Sequence, residues 1–199
     1  VLGALDDADR VRQALHGVDA VIHNAAMASG WGAWEDYYRT NVTGTNCLLQ
    51  ACRASNIRRF VYTSTPSVVH AGRTPVAGGN ERDTPYGTRF SAHYPHTKML
   101  AERAVLAAND PALAPVALRP RLMWGPGDTQ LLPRLVERAK AGRLRFIGDG
   151  NNRMDCTYID NVVDAHLLAL ARIEPGAACA GKAYFISNGE PWPIRDIVN

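Results

Sequence analysis

Short apolar runs alternate along the chain with longer segments in which apolar residues recur every third or fourth position. That alternation of strand and helix, joined by short connections, predicts a parallel sheet with helices on its faces. Asp6-Asp7-Ala8-Asp9 opens a helix with its acids at the positive end of the helix dipole, and Gly17 closes it. Asp19-Ala20-Val21-Ile22-His23 reads as an apolar strand, and a long helix follows over 34–55, with Val42, Cys47, Leu48 and Ala51 at its apolar positions. Arg59-Phe60-Val61-Tyr62-Thr63 is the next strand. Segment 65–91 has no periodicity and holds four Gly and three Pro; an irregular stretch of that length inside a domain is usually functional. Helices are predicted over 92–109 and 130–141. A third starts behind Asp160, whose carboxylate is placed to accept the free N–H groups of the first turn, and runs to Ala171. Strands are predicted at 116–119, 144–147, 157–159 and 183–187, and a further helix begins toward Asn199.

Composition narrows the class. With 46% hydrophobic and 21% charged residues the chain has the make-up of an ordinary globular enzyme. The net charge of +3 is small, and the arginines are scattered along the sequence, so no basic block calls for nucleic acid. Cys47, Cys52, Cys156 and Cys179 form no Cys-x-x-Cys pair and no metal-ligand spacing with histidine. They are expected to be reduced thiols in a cytoplasmic protein without a metal site. No apolar run approaches the roughly 18 residues of a membrane span, and no signal-peptide pattern is present.

The chemistry centres on Tyr94-Pro95-His96-Thr97-Lys98. Tyr and Lys at i and i+4 share one helix face. An ammonium beside a phenol favours the phenolate, which makes the pair able to give or take a proton at a hydroxyl or carbonyl. Pro95 in the first turn costs nothing, because its missing N–H has no helical partner there. Alone, such a pair is also what a surface helix supplies by chance. Thr63-Ser64-Thr65 adds three hydroxyls at the end of a strand, and the carboxyl ends of parallel strands are where ligands bind; one of the three can equally cap the turn. Small residues in His23-Asn24-Ala25-Ala26 let a flat group lie against the backbone. Gly44, inside a helix at a cost of about 1 kcal/mol relative to Ala, implies close packing on sheet or cofactor. Asn41 just before it could also be a plain surface amide.

These segments occur in the order, and with the spacing, of extended short-chain dehydrogenases: strand-His23-Asn24-Ala25-Ala26, Asn41-Val42-Thr43-Gly44-Thr45, Thr63-Ser64-Thr65, Tyr94-x-x-x-Lys98 and Leu118-Arg119-Pro120. The whole chain resembles that superfamily, and within it the 3β-hydroxysteroid dehydrogenase branch. Glu102-Arg103-Ala104-Val105-Leu106, Trp124-Gly125-Pro126-Gly127-Asp128 and Tyr158-Ile159-Asp160-Asn161 are similar to sterol-4-carboxylate 3-dehydrogenases. Thr63-Ser64-Thr65-Pro66-Ser67-Val68 and Leu118-Arg119-Pro120-Arg121-Leu122 are similar to bacterial 2-alkyl-3-oxoalkanoate reductases.

The resemblance implies an α/β fold, a Rossmann-type doubly wound parallel sheet, in 1–123 and 155–175, with part of a small substrate-binding subdomain in 124–154 and 176–199. The N-terminal βαβ unit, with its glycine-rich pyrophosphate loop, is not in these residues and is expected upstream of Val1. NADP or NAD is the implied cofactor. Tyr94 and Lys98 are implied as catalytic, with Thr65 as the catalytic hydroxyl and Ser64 as its fallback. Asn24, Ala25, Ala26, Asn41, Thr63, Tyr94, Lys98 and Pro120 are implied as cofactor contacts. Ala4 stands where relatives carry an Asp against the adenine, so that contact is not carried over.

The implied reaction is hydride transfer at a carbon β to a carboxylate, on a lipid-like β-keto or β-hydroxy acid, with 2-alkyl-3-oxoalkanoate reduction foremost. Arg121 and Arg153 are candidates to grip the carboxylate through two hydrogen bonds, or are ordinary salt-bridge residues. Val68, Val69 and Val76 are candidates to line a channel for the tail. A homodimer is implied as well. The alternatives are a sterol or 3β-hydroxysteroid dehydrogenase, a nucleotide-sugar epimerase or dehydratase, and a cofactor-binding sensor without activity. Val68-Val69-His70, in place of Val-Tyr-Gly, speaks against the sugar enzymes, and the intact Tyr94 and Lys98 against the sensor.

Overall fold

Asp7 starts the first helix: its carboxylate accepts from the backbone N–H groups of Asp9 and Arg10 at 3.2 and 3.1 Å, and α1 runs over Ala8–Ala14. The computed structural model describes residues 1–28, 31–70, 76–129, 132–145 and 148–198. In chain order β1 (Ala20–His23) is followed by a helix in three parts: α2 (Trp34–Tyr37), a π-helical stretch (Tyr38–Thr43) and α3 (Gly44–Ala54). Then come β2 (Arg59–Thr63), α4 (His93–Ala107), β3 (Ala114–Pro120), β4 (Met123–Trp124) and α5 (Leu132–Lys140). β5 (Arg153–Met154), β6 (Thr157–Tyr158), α6 (Ile159–Arg172), β7 (Lys182–Ile186), β8 (Trp192–Pro193) and α7 (Ile194–Val198) complete the described elements.

Two units are distinct. The first comprises Val1–Arg119 and His166–Phe185. Its sheet has the order β1-β2-β3-β7, with β1/β2 and β2/β3 parallel and Phe60 opposite both Val21 and Pro115. All seven residues of β3 are buried. A strand covered on both faces has no polar side, which is why β2 and β3 read as continuous apolar runs. The core joins Val11 and Leu15 of α1, Leu48 and Cys52 of α3, Phe60 and Tyr62 of β2, and Ala101 and Val105 of α4. The parallel sheet predicted from the sequence is present.

The second unit comprises Pro120–Ala165 and Ile186–Asn199. Two short pairings organise it, β4 parallel to β6 and β5 antiparallel to β8. The Thr157 hydroxyl lies 2.7 Å from the Arg121 carbonyl and 3.0 Å from that of Ile186. The expected subdivision placed 176–199 here, but His166–Phe185 belongs to the first unit, because β7 extends its sheet. Residues 155–165 belong to the second, where β6 pairs with β4.

Several local expectations are corrected. The helix over 34–55 is interrupted by the π-helical stretch, whose extra residue per turn carries Asn41 and Val42 inward. Asp160 lies inside the first turn of α6 rather than at its cap. Of the strand expected at 144–147, residues 144 and 145 are not in a strand, and 146 and 147 lie outside the described residues. The long segment 65–91 is partly core: Val68 and Val69 pack with Met99, Tyr86 and Phe90, so they line no channel, while Val76 is exposed. No described helix is long and apolar enough to cross a membrane.

Gly44 is explained by neither sheet nor cofactor. A Cβ there would come within 2.6 Å of the Leu5 Cβ, which belongs to the segment leading into α1. Helix propensity alone favours Ala at this position by about 1 kcal/mol. Overpacking against Leu5 reverses that sign: Gly44→Ala is expected to destabilise the protein by about 1–3 kcal/mol. A urea-unfolding midpoint equal to or above that of the wild type would show that Leu5 yields without cost.

Candidate active site

The site is built at the carboxyl ends of β1 and β2 and on the first turns of α4. β2 ends in Thr63, and Ser64 continues it by donating its N–H to the Leu118 carbonyl at 2.6 Å. Thr65 then turns the chain: it is extended, with φ −156° and ψ 145°, and its hydroxyl accepts from the Ser67 N–H at 3.2 Å, capping a single 3₁₀ turn over Pro66–Val68. α4 starts at His93, with Pro95 in its first turn as predicted. That start sets the Tyr94 phenol beside the Thr65 side chain.

Lys98, one turn further on, is only 2% exposed. Its Nζ donates to the Thr63 carbonyl at 2.7 Å and stands 4.1 Å from the centre of the Tyr62 ring, a cation–π contact. Burial pulls its pKa down to about 7, against an upward pull from Glu102. The Tyr94 phenol is pushed above its ordinary value by burial, and the bond to Thr65 opposes this. The i, i+4 spacing alone predicts that the ammonium lowers the phenol's pKa. Instead Lys98 is turned to the end of β2, burial dominates at Tyr94, and the phenol is held in its protonated form.

Behind this pair lies a chain of buried polar groups. The Thr45 hydroxyl donates to the Asn41 carbonyl at 2.6 Å, so the 2.9 Å contact of His23 Nε2 with the same oxygen is a donation from the ring. His23 is held as a neutral imidazole because burial first, and the Lys98 charge second, lower its pKa to about 3. The Asn41 side chain accepts from the Met27 N–H at 2.7 Å and donates to the Met27 carbonyl at 3.1 Å and to the Thr97 hydroxyl at 3.0 Å. Thr97 contacts the His93 and Tyr94 carbonyls at 2.9 and 3.1 Å. Asn41 therefore holds the loop after β1 to the first turn of α4.

The predicted residues divide accordingly. Tyr94, Lys98, Thr63 and Thr65 form one connected cluster. Ser64 is buried beside them, and its hydroxyl has no partner among the described residues. Asn24 and Ala25 are exposed and Ala26 is half-buried just after β1. Asn41 is a buried brace rather than a surface amide. The Thr63 hydroxyl is committed to His166 Nε2 at 2.7 Å. Pro120 is buried at the end of β3. Arg121 and Arg153 belong to the second unit; Arg121 is exposed, and Arg153 donates to the Pro191 carbonyl at 2.7 Å.

Sequence reasoning assigned no role to a buried ion pair next to the site. Arg119 of β3 donates to both Glu102 oxygens, at 3.1 and 2.6 Å, and the Tyr86 hydroxyl donates to the same carboxylate at 2.7 Å. Glu102 stands at i+4 from Lys98, a spacing visible in the sequence. Arg119 was visible only as part of a motif, and His166 carried no signal.

A model of the 3-beta hydroxysteroid dehydrogenase/isomerase family matches residues 1–198. The chain belongs to that family. The resemblance read from its motifs is thereby borne out, and NAD(P) is the cofactor class of this branch of the short-chain dehydrogenases. It is 58% identical over 199 residues to a 2-alkyl-3-oxoalkanoate reductase of Stenotrophomonas maltophilia, covering 100% of the chain and 60% of the relative. It is 39% identical to the decarboxylating sterol-4-alpha-carboxylate 3-dehydrogenase of Mus musculus, over 97% of the chain and 54% of that protein. A dTDP-glucose 4,6-dehydratase from Streptomyces venezuelae, solved with NAD bound, superimposes with a TM-score of 0.82 at 26% identity, covering 98% of the chain and 60% of the dehydratase. The chain thus spans about 60% of the length of the reductase it matches.

The buried neutral state of His23 has a consequence for acid stability. Its pKa in the folded protein, about 3, lies below the ordinary 6.5, so unfolding takes up a proton between those values. The stabilisation is complete above pH 6.5 and is lost as pH falls toward 3, with a limiting slope of about 1.4 kcal/mol per pH unit. His23→Gln, which keeps a donor for Thr45, is expected to lose less stability than the wild type between pH 6.5 and 4.5 in urea titrations. Parallel losses in the two proteins would show that His23 is not held neutral.

Proposed function

We propose that the complete protein is an NAD(P)-dependent reductase of a lipid-like β-keto acid, with 2-alkyl-3-oxoalkanoates as its substrates. The observation that carries this reading is the hydrogen bond of Lys98 to Thr63 at the carboxyl end of β2, with Tyr94 one turn before it on α4 and beside Thr65, in a chain 58% identical over all of its residues to a protein of that activity.

A bound nicotinamide dinucleotide supplies the hydride. The residues present fit such a group: the Asn24-Ala25-Ala26 loop offers little side-chain bulk, Asn41 fixes its backbone at Met27, and Lys98 keeps N–H donors beyond the one given to Thr63. Tyr94 acts as the acid. A phenol held protonated by burial suits the reductive direction, in which the carbonyl oxygen gains a proton as it gains negative charge. Thr65 stands beside the phenol. The unpartnered Ser64 hydroxyl is a second donor for the same oxygen. Lys98 supplies positive charge beside the proton donor.

The second unit supports an alkyl-bearing substrate. It contains an apolar cavity of about 400 Å³ lined by Trp124, Leu132, Leu135, Met154, Trp192 and Ile194, among others. Arg121 and Arg153 stay candidates for the carboxylate. The four free thiols agree with a cytoplasmic enzyme, and a homodimer follows from the resemblance alone. The solved relatives that act on sugar nucleotides share the fold at much lower identity than the reductase.

In the full-length protein Tyr94→Phe is expected to cut turnover of a 2-alkyl-3-oxoalkanoate by on the order of 10²-fold or more, the size of a lost general acid, while NAD(P)H binding persists. The nicotinamide absorbance gives turnover and calorimetry gives binding. Undiminished turnover in the Phe variant rejects Tyr94 as the acid, and efficient turnover of a UDP-hexose with none of the β-keto acid rejects the substrate class.

A further inference from the structure

Lys98 and Glu102 are one turn apart on α4 and so share a helix face. Both are buried, Lys98 at 2% exposure and Glu102 at 0%. A carboxylate so placed needs partners, and it has two. Arg119 grips both its oxygens, and the Tyr86 hydroxyl donates to one of them. Arg119 is in turn held between the Tyr86 and Phe185 rings, 5.5 and 5.0 Å from their centres. The Glu102 side chain therefore cannot swing away from Lys98.

We propose that Glu102 is a positioning residue for Lys98: clamped by Arg119 and Tyr86, it is the fixed negative charge that keeps the buried lysine an ammonium at neutral pH. The inference rests on the reading of Lys98 as part of the catalytic pair. Its electrostatics can be enumerated element by element. From β1, His23 faces the ammonium and is neutral. From β2, the Tyr62 ring and the Thr63 carbonyl favour the charged form. On α4 itself, Tyr94 is a protonated phenol. From α6, His166 is bonded to the Thr63 hydroxyl. From β3, Arg119 bears a positive charge and is paired with Glu102. Among these groups Glu102 is the negative one, and its pull on Lys98 opposes the burial that brings the lysine to about 7. At that value a modest change in field decides whether the side chain is an ammonium or a neutral amine.

Glu102→Gln alone leaves Arg119 buried without a partner, a strongly destabilising situation. The test therefore uses two other variants in the full-length protein. Glu102→Gln with Arg119→Met neutralises the pair at similar volume. Glu102→Arg with Arg119→Glu keeps an ion pair but sets a cation one turn from Lys98. The Lys98 midpoint is read by heteronuclear NMR, and the alkaline limb of reductive turnover by its pH profile. The expected result is a Lys98 midpoint lowered by a pH unit or more, a tenfold change in its proton affinity, in either variant that folds, and lowered further by the exchange. The alkaline limb should move to lower pH by the same amount. A midpoint that moves while the limb stays supports the role of Glu102 and rejects Lys98 as part of the catalytic pair. A Lys98 midpoint unchanged in a folded variant overturns the proposal, and reduces Glu102 to a structural partner of Arg119.

Discussion

A lysine almost out of contact with water, at the carboxyl end of a buried strand, is the constraint around which the first unit is arranged. A lone ammonium in such a place is unfavourable. The protein offsets this with the Thr63 carbonyl, the Tyr62 ring and the clamped carboxylate of Glu102. Each partner comes from an element whose position is set by packing: Tyr62 and Thr63 by β2, Glu102 by α4, and Arg119, which holds Glu102, by β3. The same ammonium also helps to keep His23 neutral on the far side. Sheet, helix and charge are thus mutually dependent, and a shift of α4 along the sheet would separate Lys98 from both of its β2 partners at once.

The π-helical stretch is the second device. A regular helix over 34–54 would carry Asn41 round by a different angle. With the extra residue the side chain faces inward and meets the loop after β1 and Thr97 together. Through Thr97 that brace reaches the backbone carbonyl of Tyr94. The loop expected to receive a flat cofactor and the helix turn carrying Tyr94 are held by one amide. Gly44, directly after the stretch, lets Leu5 pack where a side chain would otherwise stand. Asn41 and Gly44, three residues apart, therefore serve site geometry and packing respectively.

Much of this was legible in the residues. The order of apolar runs and helical segments specifies a parallel α/β sheet, because strands buried on both faces must be apolar throughout and their connecting helices amphipathic. Tyr94 and Lys98 follow from their spacing, and the hydroxyls of Thr63-Ser64-Thr65 from their place at a strand end. Division of labour among those hydroxyls was not legible. Thr65 caps the turn at Ser67, Thr63 goes to His166, and Ser64 has no partner among the described residues, because the direction of each side chain depends on how the chain leaves the sheet. Val68 and Val69 looked available for substrate but are core, since the loop that carries them folds back onto α4.

The sequence by itself determined the family, the class of fold and the catalytic candidates. These depend on local spacing and on burial patterns repeated along the chain. Tertiary structure alone decided the protonation states and the polar network. Glu102 and Arg119 are 17 residues apart, Thr63 and His166 are 103, and His23 and Thr45 are 22. Whether a buried group is an ammonium, a neutral imidazole or a protonated phenol depends on the few atoms within hydrogen-bond reach. Those neighbours are set by how the strands and helices pack, not by their order along the chain.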